Sequence, residues 1–281
     1  MKIVMTLLVR DEQDIIESNI EYHLSKGVDF FIATDNLSVD KTADILQQYE
    51  KKGLLHYIYE SSDNYSQYKW VTRMARMAIL DYHADWVINN DADEFWWPDK
   101  HDTIKDYLKT IPDEILSLDV PRYNFPVIRG EKNNSEAFYF TQNIRDCNSV
   151  NVRGHVLPSK CCHRGLAEIE VAQGNHYVSI HGKPIVSAKS KISIFHFPLR
   201  RYEQFKNKIR LGGAAYARNT ELPTSIGHTW RDLYECYKKG TLSSEYQTLV
   251  PSETELKDGI ASGRYVVDLR FQNWMLENCV E

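Results

Sequence analysis

The sequence predicts an α/β domain built on a mainly parallel sheet. Two observations carry that expectation. Over the first hundred residues, short apolar runs alternate with amphipathic stretches, the pattern of successive β-α-β units. The first run, Lys2–Val9, is nearly all apolar, which suits a strand covered on both faces.

The elements follow in order. From Asp11 onward, Ile15, Ile16, Asn19, Ile20, His23 and Leu24 recur near helical spacing, and Lys26-Gly27 closes that helix. Val28–Thr34 reads as a second strand and Asp35–Val39 as a polar loop. Asp40 is the candidate N-cap of a helix to about Tyr49. Gly53 stops it, and Leu54–Tyr59 is a third strand. After the polar loop Ser61–Ser66, the residues Val71, Met74, Ala75, Ala78, Ile79 and Tyr82 mark one face of a third helix. Asp85–Asn89 is a short fourth strand. Ligands of such sheets bind beyond the carboxyl ends of the strands, so Arg10, Asp35 and Asp91 fall on one rim.

From Ile104 to Ser193 the pattern is less regular. Strand-like pieces at Ile115–Val120, Ala137–Phe140, Ile169–Val171 and Tyr177–Ile180 predict a smaller antiparallel element covering the site. Arg200–Arg210 predicts a basic helix ended by Gly212-Gly213. Trp230–Lys239 and Asp268–Asn278 predict C-terminal helices.

Composition excludes some functions. A net charge of −5 argues against a general nucleic-acid binder, which needs a basic surface to neutralise phosphates. No apolar run approaches the roughly 20 residues of a membrane span. The apolar N-terminus lacks a small-residue cleavage site and meets Arg10-Asp11-Glu12 at once, so it reads as a strand rather than a signal peptide. The five cysteines include adjacent Cys161-Cys162 and no Cys-x-x-Cys pair, a pattern of reduced thiols in a cytoplasmic protein.

The chemistry gathers at Asn90-Asp91-Ala92-Asp93-Glu94-Phe95. Three carboxylates within four residues repel one another and resist desolvation. A divalent cation removes that difficulty, and Mg²⁺ and Mn²⁺ favour carboxylate oxygens together with substrate phosphates. An acidic surface turn is the plain alternative. The position at a strand end and the following Phe95-Trp96-Trp97-Pro98 count against it, because aromatics beside a charged site suit stacking on sugar rings. Core packing is the competing role for those aromatics.

Leu8-Val9-Arg10-Asp11-Glu12, the loop Asp35–Asp40, and Asp85–Phe95 together resemble family 2-type glycosyltransferases of the GT-A fold, and more closely the branch whose metal motif reads Asp-x-Asp-Glu-Phe. The resemblance extends to about Ala215, through Gly174-Asn175-His176 and Ile194–Pro198. It implies a GT-A domain over 1–215, with a nucleotide-binding half over 1–98 and an acceptor half over 99–215, then a helical appendage over 216–281. It also implies residue roles. Val9, Arg10 and Glu12 match positions that contact the nucleotide base. Asp35 and Asn36 match a base or ribose contact, although Asp-Asn is equally good turn chemistry. Asp91 and Asp93 match the metal-binding pair, and His196 matches a late histidine ligand.

Leaving-group neutralisation falls to Arg200 and Lys208 of the basic run, with Lys69 and Arg73 as rivals opening the third helix. The resemblance is to inverting enzymes, in which a carboxylate or imidazole takes the proton of the attacking hydroxyl. Glu94 and His176 are the candidate bases. Glu168 and Glu170 are alternatives, while His155, His163 and His181 have no assigned role. The implied activity moves a sugar from a nucleotide sugar, UDP by family frequency, to a glycan or lipid-linked glycan in surface polysaccharide assembly. Trp96, Trp97, Tyr123 and Phe125 are candidates to line the acceptor groove. The C-terminal helices are compatible with packing on the domain, dimerising or touching the inner membrane face. Two other classes share the sheet chemistry: a sugar nucleotidyltransferase, which lacks its Gly-rich loop here, and a degenerate scaffold that binds carbohydrate without catalysis.

Overall fold

A computed structural model describes residues 1–64, 66–128, 138–223 and 226–278. The chain forms two units. The first is Met1–Arg122 with Pro158–Phe195, and the second is Tyr123–Leu157 with His196–Glu281. That division does not coincide with the expected boundary between 215 and 216. The segment after Arg122 leaves the first unit and joins the C-terminal helices, a long-range pairing with no local sequence marker.

The first unit carries the predicted alternation. Its elements are β1 (Ile3–Val9), α1 (Ile16–Ser25), β2 (Phe30–Asp35), α2 (Thr42–Lys51), β3 (Leu55–Tyr59), α3 (Gln67–Leu80) and β4 (Trp86–Asn90). β1 pairs in parallel with β2 and with β4, and β2 pairs in parallel with β3. The register sets Val9 opposite Asp35, Asp35 opposite Tyr59 and Leu7 opposite Asn90, so the carboxyl ends of these strands share one rim. β5 (Glu94–Trp97), α4 (Ile104–Leu108) and β6 (Ser117–Val120) follow.

One central strand escaped the sequence reading. Lys160–Arg164 inserts antiparallel between β4 and β6, pairing Ile88 with Cys162 and Val120 with Lys160. The adjacent cysteines are therefore core residues, and burial pushes the Cys161 thiol up to about 12. Ser187–Lys189 adds a parallel strand beyond β6. Ile169–Val171 and Val178–Ile180 form the expected antiparallel element, extended by Lys183–Pro184.

α3 supplies much of this unit's core. Val71, Met74, Ala75 and Ala78 pack with Val4 and Ile32 of β1 and β2, Val87 of β4, and Cys161. Complete burial of one such Val or Met is worth about 1.5–3 kcal/mol. Asp40 assists α2 without being its N-cap residue. Its carboxylate accepts from Thr42 N at 2.9 Å, while Lys41 holds the cap position.

In the second unit, two expectations are corrected. Ala137 lies outside the described residues, but Phe138–Thr141 is a helical turn rather than a strand. Gly212-Gly213 does not end the basic helix. Tyr202–Lys208 runs into a wider turn, Ile209–Gly213, and then into Ala214–Arg218. The glycines are needed for close approach of the helix His228–Lys238. A Cβ on Gly212 would lie 2.7 Å from the Trp230 ring, and one on Gly213 would lie 2.5 Å from Tyr234 Cβ. Phe205, Ile209, Leu233, Leu242 and Tyr246 form this unit's helical core. Among the described residues, no helix is long and apolar enough to cross a membrane.

Candidate active site

β4 is buried along its whole length and delivers the acidic cluster at its carboxyl end. Glu94 N donates to Asp91 O at 3.1 Å, so Asp91–Glu94 closes as a tight turn. Helix α1 pins that turn from below. Asn19 Nδ2 donates to Ala92 O and to Glu94 O, both at 2.9 Å. Asn90 Nδ2 donates to Asn19 Oδ1 at 3.2 Å, while Asn90 Oδ1 accepts from Trp96 Nε1 at 2.8 Å. His23, one turn further along α1, accepts from Trp96 N at 3.2 Å through Nε2 and faces Asn19 O at 2.8 Å through Nδ1. Those contacts require a neutral ring protonated on Nδ1, and burial lowers the pKa of His23 to about 3. Tyr22 Oη donates to Trp96 O at 3.1 Å.

Two cations stand behind the carboxylates. Continuing the pairing of β4 with Lys160–Arg164 sets Lys160 opposite Asn90. Its ammonium is buried, pairs with Asp91, and lies 3.4 Å from Glu94 Oε1. Arg122, two residues past β6, reaches Glu94 Oε1 at 3.0 Å. Glu94 itself is fully buried. That burial pushes its carboxyl up to about 7, against the pull of Lys160 and Arg122. Asp91 keeps a third of its side chain exposed, whereas Asp93 is buried.

The turn Gln173–His176 closes the cluster. Asn175 Nδ2 donates to Asp91 Oδ1 at 3.2 Å. His176 faces Ser159 O through Nδ1 at 3.0 Å, which places the ring proton there and leaves Nε2 as the acceptor. Burial first, then Lys160 and Arg122, lower its pKa to about 4. Gly174 has φ +78°, and a Cβ there would meet His176 Nε2 at 2.6 Å.

These residues suit a cation that arrives with a diphosphate. Asp91 and Asp93 offer the oxygen donors that Mg²⁺ and Mn²⁺ prefer, and Glu94 Oε2 is a buried oxygen with no hydrogen-bond partner. Among the described residues, no group of three or more His, Cys, Asp and Glu side chains is placed to hold a metal. Mg²⁺ seldom needs such a cage, because it binds one or two carboxylates and completes its shell with water and substrate phosphate.

The sequence model of glycosyltransferase family 92 matches residues 5–245, a span that includes every residue of this cluster. The chain belongs to glycosyltransferase family 92. The resemblance to family 2-type enzymes and the family 92 match agree on a glycosyltransferase. No curated protein matches the sequence. Among solved structures, the chain is similar to S. aureus TarS 1–349, at 13% identity over 85% of this chain and 72% of that one, with a TM-score of 0.44. The same S. aureus protein in complex with UDP-GlcNAc gives 12% identity, 85% and 73% coverage, and 0.43. Glucosyl-3-phosphoglycerate synthase from Mycobacterium tuberculosis, in complex with Mg²⁺ and UDP, gives 15% identity, 44% and 43% coverage, and 0.30.

The other candidate residues of this family 92 enzyme occupy several settings. Val9 ends β1, and its carbonyl accepts from Asn36 N at 2.9 Å. Arg10 pairs with Asp63 at 2.7 Å. Glu12 is buried at the entry to α1, where its backbone N donates to Thr42 Oγ1 at 2.9 Å. Asp35 accepts from Ser38 N, a turn contact, and from Tyr57 Oη of β3, both at 3.0 Å. Asn36 donates to Glu60 O at 3.1 Å and to Ser62 O at 2.7 Å. Lys69 and Arg73 line a separate cavity on α3.

His196, Arg200 and Lys208 belong to the second unit. There His196 Nδ1 lies 2.8 Å from Asn124 Oδ1, and buried Arg200 donates to Phe197 O at 3.2 Å. Lys208 ends the helix Tyr202–Lys208. Glu168 pairs with His181 at 2.7 Å, and Glu170 accepts from Ser179 Oγ at 3.2 Å.

Two of the acceptor-groove aromatics need correction. Trp96 and Phe125 are fully buried core residues, whereas Trp97 is half-buried and stacks between Tyr22 and Phe195 at 5.9 and 5.0 Å. Tyr123 sits under Arg145 at 5.0 Å.

Asn19, Lys160 and Arg122 contact the acidic turn but were not among the site residues that the sequence singled out. Asn19 and His23 carried a legible signal, since they are two polar residues four apart on an otherwise apolar helix face. Lys160 and Arg122 depend on strand pairing across long sequence separations and had no local mark.

Proposed function

We propose that this family 92 enzyme transfers a sugar, with inversion, from a UDP-sugar to a hydroxyl of a glycan or lipid-linked glycan. The observation that supports this best is the position of Asp91 and Asp93. They sit in a pinned turn on the same rim as Val9 and Asp35, with two buried cations behind them. UDP is chosen as the commonest donor nucleotide among the enzymes the sequence resembles.

In this reading, Asp91 and Asp93 hold a divalent cation together with the donor diphosphate. When bound, the cation supplies Lewis acidity at the leaving diphosphate. Asn19 fixes the turn so that the carboxylates need no reorganisation when the donor arrives. Lys160 holds Asp91 in place, and Arg122 and Lys160 together hold Glu94, opposing the rise that burial imposes on its pKa. His176 Nε2 takes the proton of the attacking hydroxyl, because Nδ1 is committed to Ser159 O. Glu94 is wholly buried against Arg122 and Lys160 and is read as their anchor rather than as the base. The cytoplasmic setting rests on the thiol pattern, and polysaccharide assembly rests on the resemblance alone.

The test is nucleotide release from a panel of nucleotide sugars, with Mn²⁺ and with a chelator. UDP-sugar turnover that needs the cation, and a drop in transfer of about 10²–10⁴-fold in His176→Gln, is the expected result. Cation-independent release, or no release from any donor, refutes the reading.

A further inference from the structure

The outer face of α3 carries a feature that the donor site does not use. A cavity of about 600 Å³ opens between α3 and the antiparallel element, lined among others by Tyr68, Lys69, Arg73, Arg76, Glu170 and Tyr177. That volume falls within the roughly 300–1,000 Å³ typical of ligand sites. None of Arg10, Asp35, Asp91 and Asp93 lines it.

Its charge is one-sided. Lys69, Arg73 and Arg76 follow at four- and three-residue steps, so their side chains share one helix face and concentrate positive charge there. Glu170 is the lining acid, and its Oε2 is already held by Ser179 Oγ at 3.2 Å and by Gly182 N at 3.0 Å. Arg73 meets Glu60 at 3.5 Å through one terminal nitrogen, and a guanidinium has five N–H donors. Arg76 is anchored by Nε to Ile169 O at 2.9 Å. Tyr177 adds an aromatic ring 61% exposed beside these cations, where an apolar core would have buried it. Cations plus an exposed ring fit a sugar that bears an anionic substituent.

The cavity also adjoins the donor site. Ala172 and Tyr177 flank the turn Gln173–His176. That turn is tied to α3 by Tyr68 N to Gln173 Oε1 and by Gly174 N to Gln67 Oε1, both at 3.1 Å, and it reaches Asp91 through Asn175.

We propose that this cavity is a binding site for an acidic saccharide, distinct from the donor site, which holds an anionic group of the acceptor. The acceptor role rests on the transferase reading above, whereas the binding does not.

The probes are glucose 6-phosphate and glucuronic acid, against glucose and inorganic phosphate, titrated calorimetrically into the full chain. The acidic sugars are expected to bind at least tenfold more tightly than glucose and than phosphate alone. Lys69→Ala with Arg73→Ala should weaken them tenfold or more, and Tyr177→Ala should bring glucose 6-phosphate down toward phosphate. All three side chains are exposed, so the variants should keep the wild-type circular dichroism and melting profile. A saturating concentration of UDP should leave the acidic-sugar affinity unchanged. Acidic sugars that bind no better than glucose, that ignore the variants, or that UDP displaces overturn the proposal. A chain that binds acidic sugars but no UDP refutes the transferase reading while leaving this site standing.

Discussion

Helices α1 and α3 both present polar side chains at helical spacing, yet they use them in opposite ways. On α1, Asn19 and His23 are completely buried and spend their hydrogen bonds on the backbone of the Asp91–Trp96 segment. On α3, Lys69 and Arg73 are exposed and face an open cavity. The period is the same, and what differs is whether another segment lies over the face. Buried polar groups with specific partners fix geometry, and exposed charges leave it adjustable. The two helices therefore differ in kind, α1 setting the shape of the Asp91–Glu94 turn and α3 leaving its side chains at an open cavity.

The largest test of that contrast is Asn19→Ala. It removes the donor to Ala92 O and one of two donors to Glu94 O, and leaves Asn90 Nδ2 with Glu94 O alone, at a cost of about 3 kcal/mol in chemical denaturation. A loss below about 1 kcal/mol would show that the turn holds its shape without α1. Gly174→Ala comes next. It forces a side chain into positive φ and against His176 Nε2, and we expect about 1–3 kcal/mol of destabilisation with loss of transfer activity. Unchanged kinetics would remove His176 from the reaction.

The buried face of α1 also predicts a pH response. His23 has a folded pKa near 3, below its ordinary 6.5, so the unfolded chain takes the proton first. Its contribution is complete above pH 6.5 and is lost as pH falls toward 3, by up to about 1.4 kcal/mol per pH unit. His163, lowered by burial to about 4, acts in the same sense. Denaturation at pH 7 and pH 5 should show the loss, and His23→Gln should reduce its slope. The smallest effect belongs to α3. Lys69→Ala or Arg73→Ala should shift stability by no more than about 0.5 kcal/mol, since neither side chain is buried.

Much of the fold was legible because it is local. The first four strands and three helices follow hydrophobic period and turn residues, and their ends fall within a few residues of expectation. The acidic motif was legible for the same reason, as a polar cluster ending an apolar run. What the sequence hid is long-range. The strand Lys160–Arg164 joins β4 across some seventy residues, and its lysine becomes a partner of Asp91 only through that pairing. The aromatics after Glu94 misled because burial, not composition, decides whether a tryptophan stacks on a sugar or fills a core, and Trp96 fills a core. The unit boundary at Arg122 was hidden as well, since no Gly- or Pro-rich linker marks it.

The central claim is that the pinned Asp91–Asp93 turn holds the donor diphosphate through a cation, and calorimetric titration of UDP tests it most directly. Wild type should bind UDP at least tenfold more tightly with Mn²⁺ than with a chelator, and Asp93→Asn should abolish that difference while keeping the wild-type melting profile. UDP affinity that is indifferent to Mn²⁺, or a cation effect that survives in Asp93→Asn, would contradict the account.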